Sequence, residues 1–295
     1  MRSHRRRCAA LLVAATLLTG GCAAAPSDSP GASATPEAVV EILQLRGDVA
    51  TGHIELRVTN HAEAPLTILR ATYASTRWSA PMTTENPATI PPGLRRNLRL
   101  QLPEATCDAG PLEHRAELEL ADGTVLELLP GDPEQQLEAL DDRACDLQRF
   151  ASTVAQISWL EPSIPADGAG PAIVRLRIDP IGIDPTGVAA TAQASGSLDA
   201  IDATVLLTPV DAAGMRVEQL PVGLQIRPGD APTDVAIPLE PGRCDLHAIA
   251  EDKQGTLFRL RASIDGEPID LVLPSPDAQR DALLDWVVDR CAARP

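Results

Sequence analysis

From Val39 onward the chain alternates apolar and polar residues with a period of two. In His53–Thr59, Ile54, Leu56 and Val58 share one face and Glu55, Arg57 and Thr59 the other, which predicts a half-buried strand running into a turn over Asn60–Pro65. Leu66–Tyr73 predicts a second strand, and Leu94–Leu102 a third that buries Leu98, Leu100 and Leu102. Ala116, Leu118 and Leu120 then lead through Asp122-Gly123, a strong hairpin signal, into Thr124–Leu129. Here the period changes. Asp132 can cap a helix, Pro133 suits a first helical position and Gln135 can complete a capping box. Leu137, Leu140 and Ala144 fall on one helical face, and Cys145 ends the segment.

The same order of signals follows a second time. Val154–Trp159 predicts a strand, and Val174, Leu176 and Ile178 alternate with Arg175 and Arg177. Thr204–Val210, Val222–Ile226 and Val235–Leu239 supply three more, while Ile181–Ser197 reads as loop. Phe258, Leu260, Ala262 and Ile264 run inward to an Asp265-Gly266 turn, and Ile269–Leu273 returns. Ser275-Pro276-Asp277 starts a last helix with Leu284, Val287, Val288 and Cys291 as its apolar stripe. Many short strands at close spacing predict a mainly β protein: two tandem immunoglobulin-like sandwiches, residues 38–150 and 151–295, each closed by a C-terminal helix. The boundary is expected near Arg149–Thr153.

Cysteines mark the same duplication. Cys107–Cys145 and Cys244–Cys291 both open on Cys-Asp, pass an Asp-Gly hairpin and close on a helix. Of the six cysteines, Cys8 and Cys22 are expected to be cleaved and lipidated respectively, and the remaining four allow three pairings. The repeat selects Cys107 with Cys145 and Cys244 with Cys291, each worth about 4 kcal/mol through restriction of the unfolded chain. A four-cysteine zinc site would need close pairs such as Cys-x-x-Cys, which the sequence lacks. No metal or cofactor is predicted.

The first residues have a different character. MRSHRRR is a basic start, and CAALLVAATLLTG is an apolar run too short to span a bilayer, so residues 1–21 read as a signal peptide. Leu18-Thr19-Gly20-Gly21-Cys22 looks like a lipobox, with Cys22 lipidated as the new N-terminus. Residues 22–37, rich in Ala, Ser and Pro, read as a flexible tether with a reach of about 20 Å. The expected location is the outer face of the cell membrane, held by lipid, with an envelope protein as the candidate partner.

Composition narrows the function classes. The formal charge is −16, and loss of the leader removes Arg2, Arg5, Arg6 and Arg7, leaving the rest more acidic still. Such a surface repels phosphate backbones, so nucleic acid is not an expected partner. Aromatic residues make up only 2% of the chain, which leaves the cores to aliphatic side chains and provides no stacking platform for sugars. No Gly-x-Ser-x-Gly elbow and no Gly-rich phosphate loop is present, and no catalytic residue is assigned.

One dense cluster of reactive side chains remains. Cys244-Asp245-Leu246-His247 is followed by Glu251, Asp252 and Lys253, the last being the single lysine among 25 basic residues. With Leu246–Ala250 extended, Asp245 and His247 would share a face. The run Cys244, Asp245, His247, Ala248, Glu251, Asp252, Lys253, Gly255, Thr256 and Phe258 resembles a box of actinobacterial secreted lipoproteins of unknown function, Cys-Asp-x-His-Ala-x-x-Glu-Asp-Lys. The resemblance spans about fifteen residues, carries no activity with it and implies only that this box is the likelier of the two repeats to be functional; His247, Glu251, Asp252 and Lys253 are its candidate recognition residues. The first repeat keeps Cys107-Asp108 but has Ala-Gly-Pro next. The leading expectation is a non-enzymatic, lipid-anchored binding or envelope-assembly module. Its alternatives are a solute-binding lipoprotein of a transporter and a metal-dependent secreted enzyme.

Overall fold

In a computed structural model, residues 37–165, 170–182, 193–245, 247, 249 and 254–292 are described. The signal peptide, Cys22, the tether up to residue 36, and Glu251, Asp252 and Lys253 lie outside the described residues.

The predicted alternation becomes antiparallel strands. In the first half, β1 (Ala38–Leu43), β2 (His53–Asn60) and β6 (Arg95–Gln101) form one sheet in the order β1-β2-β6. Between them lie a single helical turn, α1 (Arg46–Val49), and the strands β3 (Leu66–Ser75), β4 (Met82–Thr84) and β5 (Ala88–Ile90). A second sheet has the order β4-β3-β7-β8, with β7 (His114–Leu120), β8 (Val125–Leu128) and β5 also paired to β3. Ile54, Leu56 and Val58 face Ile68, Ala71, Tyr73, Ala116 and Leu118 in one core. Side-chain alternation placed them there; a one-residue slip would turn each strand inside out.

The second half has two four-stranded sheets. One runs β12-β14-β10-β9, from β9 (Ala155–Ser163), β10 (Ala172–Pro180), β12 (Leu207–Pro209) and β14 (Thr233–Pro241). The other runs β13-β11-β15-β16, from β11 (Gly196–Asp202), β13 (Gln219–Ile226), β15 (Leu257–Ile264) and β16 (Glu267–Pro274). The strand β11 falls in and beyond the stretch read as loop. A register shift between Leu198 and Ala200 breaks its alternation, which is why periodicity missed it. Gly196 is required at its start: a Cβ there would lie 2.5 Å from the Ser263 carbonyl and 2.7 Å from Val154.

The two Asp-Gly hairpins differ. Asp265 and Gly266 both take positive φ, 49° and 87°, in the two-residue turn that matches strand twist. At Asp122-Gly123 only the glycine does, and Leu120 pairs with Thr124 across a three-residue loop.

Helix α2 (Leu137–Thr153) departs from expectation at both ends. It starts four residues after Pro133, because Gln135 adopts φ 53°; Asp132 nevertheless caps it, accepting from the Gln136 and Leu137 amides at 2.9 Å. It does not stop at Cys145 but continues through the expected boundary at Arg149–Thr153. Leu137 and Leu140 enter the first core, and Phe150 and the following Val154 the second. The last helix, α3 (Asp277–Ala292), buries Gln279, Leu283, Trp286 and Val287; Val288, expected in its stripe, is exposed.

Disulfides join Cys107 to Cys145 and Cys244 to Cys291, each with Cα atoms 5.3 Å apart. The scarce aromatics are spent inside: Tyr73 and Trp78 in the first core, Phe150, Phe258 and Trp286 in the second. Among the described residues the Nε1 atoms of Trp78 and Trp286 are buried without an acceptor. The Tyr73 hydroxyl meets His114 Nδ1 at 3.2 Å, and burial pushes the phenol up to about 12.

Three outcomes follow from these contacts. Asn60 is fully buried and its side chain donates to the Ala64 and Ile90 carbonyls (2.9 and 2.8 Å) while accepting from the Ala62 amide. Asn60→Ala is expected to cost about 2–3 kcal/mol in chemical denaturation, and Asn60→Asp at least as much, since a carboxylate would face two carbonyls. Phe150→Ala should cost about 3–5 kcal/mol and Phe150→Leu far less. Tyr73 is the only tyrosine, so tyrosinate absorbance reports it alone. Its titration should centre near 12 in the folded chain and near 10 once unfolded. Because the unfolded phenol ionises first, stability should fall as pH rises through this interval.

Candidate functional site

The box singled out by sequence is first of all a structural junction. Cys244 is tied to Cys291 of α3, and Asp245 caps a helical turn: its Oδ1 accepts from the His247 amide at 3.0 Å, and its carbonyl from the Ile249 amide at 3.0 Å. The segment is therefore helical at His247 and Ile249, not extended. Asp245 and His247 do not share a strand face. Ile249 is buried in the second core and His247 is exposed. Glu251, Asp252 and Lys253 lie outside the described residues, and among the described residues no group of three metal-ligating side chains converges.

Just past the box, Gln254, Leu257 and Arg259 line a groove that the sequence did not reveal. It lies where α2 crosses between the two halves. One cavity of about 370 Å³ is formed by Gln44, Arg46 and Val49 from the end of β1 and α1, by Gln135, Gln136, Ala139 and Arg143 from α2 and its lead-in, and by those three residues with Val272. Among the described residues it carries three arginines and no carboxylate. An adjoining cavity of about 500 Å³ shares Ala139, Arg143, Arg259 and Val272 but adds Asp142, Asp146 and Asp270. The groove thus has a basic part and a mixed, acid-bearing part.

A chain of amides fixes the basic part. Gln44 Nε2 donates to the His53 carbonyl at 3.0 Å, its Oε1 accepts from Arg143 Nη2 at 2.9 Å, and its backbone amide donates to Gln136 Oε1 at 2.6 Å. Arg143 is half-buried. Burial pushes its guanidinium pKa down, the charge of Arg259 adds to that, and Asp142 opposes it. Arg259 pairs with Asp270 at 3.5 Å, on the exposed side. In the acid-bearing part, burial raises Asp146 against the pull of Arg149, and Asp270 is held by Arg261 at 2.8 Å. Such an arrangement can bind a polar or charged ligand through a preset guanidinium; it presents no nucleophile with an adjacent base among the described residues.

The arginines were missed because nothing local marks them. Gln44 and Arg143 are 99 residues apart in sequence, and arginine is the usual base in this chain. The neighbouring pair Gln135-Gln136, polar residues where a helix was expected to begin, was the one available signal.

No protein-family model matches the chain, and no curated protein does. Solved structures give only distant likenesses. A transglutaminase from red sea bream is 10% identical over 82% of this chain and 32% of its own, with a TM-score of 0.23. An exo-chitosanase from Amycolatopsis orientalis is 12% identical over 80% and 26%, at 0.21, and the YadV chaperone 13% identical over 80% and 100%, at 0.19. The chain spans about a quarter to a third of the first two proteins. Likenesses of this size carry no argument about activity.

Proposed function

We propose that this protein is a non-enzymatic, lipid-anchored binding module on the outer face of the cell membrane, built from two immunoglobulin-like sandwiches each closed by a disulfide-tied helix. The groove along α2 is its binding site for a ligand or an envelope partner. The observation that carries this reading is that one helix buries side chains in both cores and forms a wall of both cavities. The halves are thereby held at a set spacing around a polar groove, an arrangement suited to holding something. Two disulfides fit an oxidising compartment. Among the described residues no helix is long and apolar enough to cross a membrane, so attachment is assigned to Cys22. The cleft of a transporter's solute-binding lipoprotein would be expected between lobes of alternating strands and helices; the groove here is walled by α2, the turn α1 and strands β15 and β16.

Two measurements test the proposal. Cys22→Ala should move the protein from the membrane fraction to the soluble one and abolish fatty-acid labelling; a variant that stays membrane-bound and labelled removes the anchor. Ala139→Trp fills the shared wall of the groove from an exposed position. It should abolish in-cell cross-linking to the partner with little change in melting temperature. Cross-linking that survives Ala139→Trp but is lost in Lys253→Arg would transfer recognition to the box.

A further inference from the structure

We infer that the basic part of the groove is an anion site, and that its ligand presents a single terminal carboxylate to Arg46, Arg143 and Arg259. The inference rests on the binding reading above and names the chemistry of the ligand.

The chain carries 41 acidic residues against 25 basic ones, yet among the described residues this cavity is lined by three arginines and no carboxylate, and an adjoining one that shares Gln44, Val49, Arg143 and Val272 has no carboxylate either. Elsewhere arginines find acids readily: Arg261 bridges Asp202 and Asp270 at 2.8 Å, and Arg77 reaches the buried Asp141 at 3.1 Å. Among the described residues neither Arg46 nor Arg143 has an ion-pair partner. The one hydrogen bond of Arg143 goes to a neutral amide, Gln44 Oε1. Positive charge is therefore concentrated along one wall of the groove, with Asp142 and Asp270 offsetting it only from the neighbouring cavity.

The geometry also presets the site. A guanidinium offers five N–H donors in a planar fork that matches a carboxylate. Gln44 uses one of those on Arg143 and is itself held by His53 and Gln136, so the fork is oriented before any ligand arrives. The charge of Arg259 disfavours that of Arg143, and an anion between them removes that penalty. Arg259 is tied to Asp270 only through a pair exposed to water, of a kind worth little in such surroundings.

The neighbouring cavity limits what the anion can belong to. Asp142, Asp146 and Asp270 lie within it, and a second negative group on the same ligand would meet them. A polyphosphate or nucleic-acid strand is disfavoured for that reason. A chain with its charge at one end, such as a peptide with a free C-terminus, meets no such opposition. A bland account, in which Arg143 merely ties α2 to the end of β1, explains its bond to Gln44. It does not explain Arg46, which is exposed and serves no ion pair among the described residues.

Calorimetric titration of the full-length, lipidated protein in detergent tests the inference with three probes: acetyl-dialanine, its C-terminal amide, and inorganic phosphate. The acid should bind and weaken as salt is raised, and the amide should bind at least tenfold more weakly. Arg46→Gln should lose at least tenfold with an unchanged melting curve, and Arg143→Met as much, which keeps the test valid even where the second variant is less stable. Equal binding of acid and amide overturns the inference, as does undiminished binding by Arg46→Gln. Absence of heat from acid and phosphate alike at about 10 mM, well above the weakest affinity of interest, overturns the anion site. Binding of phosphate but not of the acid overturns the carboxylate assignment. A negative titration together with partner loss in Ala139→Trp leaves the groove as the binding site and removes only its anion chemistry; a positive one with the partner retained does the reverse.

Discussion

Everything in the described structure depends on α2 being buried at both ends. A 17-residue helix is long enough for its first turn to enter one core and its last turn another, with the middle left over. Leu137 and Leu140 are the first contribution, Phe150 the second, and the disulfide at Cys145 sits between them. The connection that a flexible linker would otherwise provide is thus a packed element. Large aromatic burial at Phe150 makes withdrawal of that end costly, so the two cores are coupled through one side chain and its neighbours.

The middle of the helix inherits its character from this arrangement. Ala139 and Arg143 belong fully to neither core, and the space over them is bounded by β15 and β16 on one side and by Gln44 and α1 on the other. Small and long-polar residues there leave a groove; two leucines would have sealed it. Polarity at this point is therefore a feature of the sequence that stability did not ask for. It is offset by the amide chain from His53 through Gln44 to Arg143, which gives the half-buried guanidinium an acceptor without neutralising it.

Strands with unbroken alternation were legible, as were the disulfide pairing, from the repeated Cys-Asp opening, and both Asp-Gly turns. What escaped had physical causes. The bulge at Leu198–Ala200 erased the period of β11. A left-handed Gln135 displaced the start of α2 from a proline that looked like its first residue. The end of α2 was misplaced because a cysteine was taken as a terminus, while Phe150 signalled that the helix still had a core to reach. The box of Cys244 divided: its Cys-Asp is accounted for by a disulfide and a helix cap. The groove was invisible because it is assembled from residues nearly a hundred positions apart, each unremarkable in its own context.

Strand β1 gains a second meaning if Cys22 holds the protein to a membrane. It is the first described strand, and its last residue, Leu43, precedes Gln44 at the wall of the groove. Any tension between an anchored lipid and a captured partner would be drawn along this strand. All six of its residues are paired in antiparallel register with β2, and it exchanges two further bonds with Gly131 on its other edge. Load applied along such a strand shears these hydrogen bonds together instead of peeling them one at a time. Pulling along this line is thereby opposed by the whole length of the strand at once.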